Sequence, residues 1–540
     1  MKFLPRASLV LFPALVAAVA VAQIPQGTFK HIIIVVQENR TPDNLFGANP
    51  LHTGPCGTED PFEPGVDIDN GGYGYVGGTR QEICNIPLPM NDGGLDPNHS
   101  YKEGWLPQCH LNSSGQCQMD GFCQIVNNGK CQQYSYVQPS DVQPYFAIAT
   151  NYGFANYFFQ TNEGPSFPAH QFLFTGTSAP VAPTNTNYLD FVGENPVFTA
   201  FGCPDTTNKP EWVDPTGTDI AGSLECYTHD TLVTNSSGDK GVSWRYYTPQ
   251  PSGVIWTAPE SIPEVCYGEN SLNNQGQPCS GMEWSSHIAQ PNTGNYDGAP
   301  ILDDIAKCNL AKISWVIPDE IWSDHPSFDD HNPALGPSWV GDIVNAVGNS
   351  WTQSLGGGKC DYWGTNSSTP EPTAILVVWD DWGGWFDHVV PPAVYRSSSS
   401  TSCPTNVAPN HWGCGYVYGF RVPFLAVSEY TQAGYVSGTC QNGSCLNDAF
   451  PYQHDFGSIL RFTEYNFGMS LIDQSGDNGY ADANALDGAN QHIPLSDFFS
   501  LSNQRNFTNI PTSYPPSFFE DYYSRNPGYS PTGPDGTDSD

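Results

Sequence analysis

The sequence predicts an α/β fold built on a central, mostly parallel sheet. Two observations carry this prediction. Four short segments, His31–Val36, Ile313–Ile317, Ala374–Trp379 and Val422–Val427, are almost continuously apolar and rich in β-branched residues. That is the character of strands covered on both faces. Segments with helical periodicity fall between and after them, and such alternation marks an α/β protein.

In chain order, residues 1–22 come first and read as a secretory signal. Lys2 and Arg6 make a basic start, Leu9 to Ala22 is apolar, and Ala20-Val21-Ala22 is a cleavage pattern before Gln23. The run is too short to favour a permanent membrane helix, which takes about 20 apolar residues. No second long apolar run follows. A secreted protein, extracellular or periplasmic, with no transmembrane anchor is therefore expected. After the first strand, Asn49–Gln138 is dense in Gly, Pro, Asn and Cys. Helices are predicted at Asp141–Thr150, at Pro300–Lys307, at Trp339–Val347 behind a Pro-Ser cap signal, and at Phe456–Glu464. Gly202–Asn295 and Arg396–Gly415 repeat the loop-like composition. These stretches read as disulfide-pinned insertions over one core, so residues 23–525 form a single domain. The polar, Pro- and Gly-rich tail at 526–540 is expected to be disordered.

Composition narrows the class further. All 16 cysteines lie after the cleavage site, and an even count in a secreted chain predicts disulfides. No pair has C-x-x-C spacing, which argues against a zinc ribbon or a thioredoxin-type redox site. Connectivity stays open, although Cys109/Cys117/Cys123/Cys131, Cys403/Cys414 and Cys440/Cys445 are closely grouped. The formal net charge of −37 opposes nucleic acid and anionic membranes as partners. It also means that an anionic substrate needs a local positive centre, which a bound divalent cation would supply. Oligomeric state is not legible.

The chemistry lies behind the strands. His31–Val36 runs into Gln37-Glu38-Asn39-Arg40. Ala374–Trp379 runs into Asp380-Asp381-Trp382-Gly383-Gly384 and then Asp387-His388. Ile313–Ile317 runs into Asp319-Glu320 and Asp324-His325. Open α/β sheets bind ligands at the carboxyl ends of their strands, so acids, amides and imidazoles converge on one edge. Hard oxygen donors of this kind suit a divalent cation. A single acid after a strand is usually a turn or cap residue. Asp380-Asp381 is different, because adjacent carboxylates repel unless a cation or proton lies between them. Ser166 sits in the Pro-braced turn Asn162–His170, ahead of Gln171-Phe172-Leu173-Phe174. A helix start there would present backbone N–H groups to an anion; taken alone, the serine would be an ordinary cap.

Together these residues resemble a known family. Glu38-Asn39-Arg40-Thr41-Pro42-Asp43-Asn44-Leu45-Phe46-Gly47 is similar to the E-N-R-S-F-D-x-x-F-G opening of the bacterial phospholipase C and acid phosphatase family of phosphoesterases. Asp96-Pro97-Asn98-His99-Ser100 resembles its D-P-x-H segment, and Ser166-Phe167-Pro168-Ala169-His170 its nucleophile turn. Asp324-His325-Pro326-Ser327, the block Trp379–Val389 and Gly419-Phe420-Arg421-Val422-Pro423 match three further motifs in order. The resemblance implies an alkaline-phosphatase-like fold, with helices on both faces of the sheet, and makes 23–525 a phosphoesterase catalytic domain. Glu38, Asn39, Asp380, Asp381 and Ser166 would hold one divalent metal ion of unknown identity. Ser166 would be the nucleophile. His99 and His325 would bind the phosphoryl group and move protons, with His388 a further catalytic candidate beside Asp387. Asn39 and His170 would touch substrate. Ala169 departs from the family's usual asparagine, which bears on phosphate contacts.

The implied function is hydrolysis of phosphate esters through a phosphoserine, with a phospholipid substrate as in phospholipase C. The alternative within the family is an acid phosphatase releasing inorganic phosphate. A non-catalytic secreted binding protein is the alternative of another class, and would not need the converging acid, serine and histidine set. Trp382, Trp385 and Phe386 could meet a lipid or choline head group, or could pack the core. An α/β-hydrolase needs G-x-S-x-G, which Gly164–Pro168 fails at its last position, and no sulfatase C-x-P-x-R or S-x-P-x-R segment is present.

Overall fold

The computed structural model describes residues 24–47, 56, 65–91, 95–180, 190–196, 211–221, 226–227, 231–234, 242–250, 255–268, 274, 276–291, 298–326, 332–355, 359–392, 416–441, 444–445, 450–472 and 480–531. The signal segment, all of Arg396–Gly415 and the last nine residues of the expected tail lie outside them.

An eight-stranded sheet forms the centre. Its strands are β1 (His31–Gln37), β2 (Gly153–Ala155), β3 (Trp244–Tyr247), β4 (Ile288–Ala289), β5 (Ile313–Val316), β6 (Thr373–Trp379), β7 (Phe424–Val427) and β8 (Tyr435–Ser437). They lie in the order β4-β3-β5-β1-β6-β7-β2-β8. β1 and β6 pair over their full length, His31 with Thr373 through Gln37 with Trp379. Every residue of β1, β5, β6 and β7 is buried, which is why these four read so clearly as apolar runs.

Two expectations change. The segment Val422–Val427 begins its strand only at Phe424, after Pro423, which has no N–H to give to a ladder. This strand pairs antiparallel with both neighbours and alone runs against the other seven. The stretch Gly202–Asn295 is not purely an insertion, since it supplies β3 and β4 at the sheet edge. Their shortness hid them, four and two residues with an arginine among them. Such runs cannot show a period.

Helices lie where they are expected: α1 (Gln143–Asn151), α2 (Ser166–Thr175), α3 (Pro300–Ala306), α4 (Leu335–Gly348) and α5 (Phe456–Phe467). However, α2 begins at Ser166 rather than Gln171, and α4 begins at Leu335, so that Pro337-Ser338 lies within its first turn instead of capping it. They lie against opposite faces. Trp315 is in register with Ile34 and Trp379 with Gln37, and three residues along a strand reverses the face. Trp315 Nε1 donates to Leu173 O of α2 at 3.0 Å, whereas Trp379 packs its ring 5.0 Å from that of Tyr145 of α1. α2 contacts α5 on its side, and α1 and α3 contact α4 on theirs.

The loop-rich regions are stapled. Cys56–Cys84, Cys109–Cys117, Cys123–Cys131, Cys266–Cys279 and Cys308–Cys360 are disulfides, while Cys226 is free and buried. Among the described residues no helix is long and apolar enough to cross a membrane. At the head of the tail, Tyr529 stacks on Tyr523 and its hydroxyl donates to Asp319 at 2.6 Å, so an aromatic anchor holds residues that composition alone marks as disordered.

Candidate active site

Strand register brings the acids together. Gln37 faces Trp379 on parallel neighbours, so Glu38-Asn39 and Asp380-Asp381 leave the sheet side by side. The ladder continues beyond the strands: Asp380 N–H donates to Gln37 O at 2.9 Å and Arg40 N–H to Asp381 O at 3.0 Å. Asp380 Oδ1 accepts the backbone N–H groups of Asn39 (3.1 Å) and Asp381 (2.7 Å), and Asp381 Oδ1 accepts that of Gly383 (2.7 Å). The chain then turns through Gly383 at φ 60°. A Cβ there would stand 2.3 Å from the Asn39 carbonyl oxygen, so glycine permits both the left-handed turn and the close approach. Asn39 is itself left-handed at φ 58°, a conformation asparagine tolerates better than most residues.

α2 delivers the serine. Ser166 is its first residue, behind Pro165. The hydroxyl donates to Asp381 Oδ2 at 3.2 Å and lies 3.4 Å from Glu38 Oε2. His170 follows one turn later on the same face. Its Nε2 is 3.4 Å from Glu38 Oε1 and 3.6 Å from Asp380 Oδ2. Ala169, between them, is buried in the core. Burial raises the Asp380 carboxyl, but His170, Glu38 and Ser166 beside it outweigh that and bring it down to about 2.

The imidazoles divide into two places. His99 Nδ1 lies 2.9 Å from Pro97 O, so it donates there and leaves Nε2 to accept from Asn39 Nδ2 at 3.1 Å. The His325 ring centre is 5.9 Å from that of His99. His99 therefore stands next to the acidic cluster, with His325 beside it. His388 does not join them. Its Nδ1 is 2.8 Å from Asp43 Oδ2 and its Nε2 3.3 Å from Asp67. Burial opposes its charge, yet Asp43 and Asp67 raise it well above the ordinary histidine range. Arg421 completes this second cluster, bonded to Asp387 and Asp43 at 3.0 Å each.

Other acids behind the strands are structural. Asp319 caps a short helical turn and accepts the Tyr523 and Tyr529 hydroxyls. Asp324 accepts Tyr145 and Trp379. Trp382, Trp385 and Phe386 are all buried; Trp382 donates to Gln108 and lies 6.3 Å from the His99 ring, and Phe386 stacks on Tyr134.

A divalent cation fits this centre. Asn39 Oδ1, Asp380 Oδ2 and His170 Nε2 are buried without a hydrogen-bond partner, and buried polar atoms are seldom left so. Glu38, His170 and Asp380 offer ligand atoms within 4.8 Å of one another. His170, a substrate contact by the resemblance, also stands beside Glu38 and Asp380; its four-residue spacing from Ser166 is the sequence signal that it shares the serine's face.

A model of the family described as the phosphoesterase family matches residues 29–356 and 360–470. The non-hemolytic phospholipase C of Pseudomonas aeruginosa is 23% identical over 472 residues, 82% of this chain and 54% of that protein. The protein of the same name from Burkholderia pseudomallei is 24% identical over 494 residues, 85% of this chain and 59% of its own. Phospholipase C B of Mycobacterium tuberculosis is 27% identical over 272 residues, 48% of this chain and 44% of that protein. The chain thus spans about half the length of these curated relatives.

Proposed function

The chain belongs to the phosphoesterase family, and on that premise we propose that it is a secreted, metal-dependent hydrolase of phosphate esters acting on phospholipids as a phospholipase C does. The observation that carries the reading is the Ser166 hydroxyl, 3.2 Å from Asp381 and 3.4 Å from Glu38, beside the unpartnered Asn39 Oδ1 and Asp380 Oδ2. The names of the relatives support the substrate class, and the disulfides among the described residues suit an oxidising compartment. The finer fold reading is alkaline-phosphatase-like, supported by a nucleophile at a helix start above a mostly parallel sheet.

Glu38, Asn39, Asp380 and Asp381 would hold one divalent ion with Ser166. When bound, the ion would lower the serine pKa and offset charge on the nonbridging phosphoryl oxygens. Ser166 Oγ attacks phosphorus in line as its proton passes to Asp381 Oδ2, its hydrogen-bond acceptor at 3.2 Å; the bond to the leaving alcohol breaks, and a phosphoserine forms. His325 gives a proton to the departing oxygen, an effect typically worth about 10²–10⁴-fold, while His99, donating to Pro97 O and accepting from Asn39, positions the Asn39 side chain. Water then attacks phosphorus from the vacated side and frees Ser166. Positioning and electrostatics supply most of the rate in such transfers.

The test is a product assay on phosphatidylcholine and on a simple phosphomonoester. Phosphocholine and diacylglycerol are expected from the first, with turnover falling by about 10³-fold or more in Ser166→Ala while bound metal is retained. Inorganic phosphate from the monoester alone would give the acid phosphatase reading instead, and full activity in Ser166→Ala would refute the nucleophile.

A further inference from the structure

We infer that His170 is a direct nitrogen ligand of the cation, which makes the centre one for a first-row transition ion such as Mn²⁺, Fe²⁺ or Zn²⁺ rather than Ca²⁺ or Mg²⁺. The inference rests on reading the site as a metal centre and goes beyond it by naming a donor and a metal class. Three observations converge. Ser166 and His170 are one helical turn apart on α2, so the helix that presents the nucleophile presents the imidazole to the same acids. His170 Nε2 stands 3.4 Å from Glu38 Oε1 and 3.6 Å from Asp380 Oδ2. It is buried and makes no hydrogen bond there, as does Asp380 Oδ2.

Those distances discriminate between two arrangements. A protonated imidazole that neutralised the acids would close to about 2.7–2.9 Å on one of them, the range of charge-assisted bonds. Two donors bound to one ion at about 2.0–2.2 Å each, at angles near 90–110°, lie roughly 3.0–3.6 Å apart. His170 is spaced as a ligand sharing an ion with Glu38 and Asp380. Hard ions such as Mg²⁺ and Ca²⁺ select all-oxygen sites, whereas imidazole favours the transition ions. Of the two other imidazoles nearby, His99 is differently employed: it uses both ring nitrogens, on Pro97 O and Asn39.

The experiment uses the full chain, stripped of metal and titrated with Co²⁺ and Cu²⁺. Wild type is expected to bind one ion, with visible Co²⁺ bands and, for Cu²⁺, electron spin-echo modulation from an imidazole nitrogen. His170→Gln should weaken Co²⁺ binding by about 10–100-fold or more, since even groups that only support a ligand cost that much. It should also shift the Co²⁺ bands and lose the nitrogen modulation, and added imidazole should restore part of the affinity in His170→Gly. Unchanged affinity and spectra in His170→Gln would overturn the inference while leaving the metal-centre reading intact. Absence of nitrogen modulation in wild type overturns it without any variant. A wild type that binds no ion sinks the metal-centre reading as well.

Discussion

Ser166, Asp380 and Asp381 behave as one unit at the scale of single residues. Asp380 has its two oxygens in different situations: Oδ1 holds two backbone N–H groups, and Oδ2 faces His170 with no donor. The first pair of bonds aims the second oxygen, so the strand end itself orients the proposed ligand. Replacing both acids, in Asp380→Asn/Asp381→Asn, keeps the volume and removes two charges. Metal content by mass spectrometry is expected to fall from one ion per chain to near zero, with the fold retained by circular dichroism. An unchanged metal stoichiometry would discard this ligand set. Asp324 shows how a neighbour can resemble a site residue without being one. Burial raises its carboxyl to about 7, against the pull of Arg40, Tyr145 and Trp379, and its hydrogen bonds tie α1 to β6 rather than face a substrate.

At the scale of elements, two loops carry the proposed ligands, and Arg421 clamps those loops together. The loop after β1 contributes Asp43, the loop after β6 contributes Asp387, and the guanidinium just ahead of β7 binds both, with Nη1 donating to the carbonyls of Asp67 and Asn156 at 2.8 Å each. All three side chains are fully buried. The geometry explains why His388 and Asp387 lie beside the chemistry in sequence but outside it in space: they belong to the clamp. Removing one partner of a buried ion pair strands the other charges. Arg421→Met should therefore cost about 3–5 kcal/mol, read as a lower urea midpoint. A loss within error would show that the clamp contributes nothing.

Across the whole molecule, buried carboxyls set the pH dependence. Burial raises Asp319, Asp324, Asp342 and Asp455 to about 7 each, despite hydrogen bonds that oppose it. In the unfolded chain such groups ionise near 4. Between about pH 4 and 7 the native state thus binds more protons, and stability falls as pH rises through that window. His388 and His454, raised by their acidic neighbours against burial, act in the same direction above about pH 6.5. His31, lowered to about 4 by burial, opposes them, as does Asp67 below about pH 4, because His388 and Arg421 hold it down against burial. A net charge of −37 adds self-repulsion at high pH. The melting temperature is expected to be higher at pH 5 than at pH 8 in scanning calorimetry; the reverse order would contradict the assignment of protonated acids. Covalent cross-links matter at the same scale. Cys308–Cys360 closes a 52-residue separation beneath α3 and ahead of β5, and loop-closure entropy predicts a loss of about 4 kcal/mol on replacing both cysteines by serine. Denaturant unfolding of that double variant checks it.

The order of residues was enough for the four buried strands, the five helices and the acids behind β1 and β6, because full burial writes a continuous apolar run and a parallel sheet collects its loops at one edge. It could not reveal β3 and β4, too short to carry a period, nor the reversed direction of β7, since an apolar run is the same read either way. The spacing of His170 from Ser166 marks a shared helix face, but its distances to the acids, and the separate clamp around Arg421, came only with packing. Distances between residues more than a hundred positions apart depend on how helices seat against the sheet, and no local pattern encodes that seating.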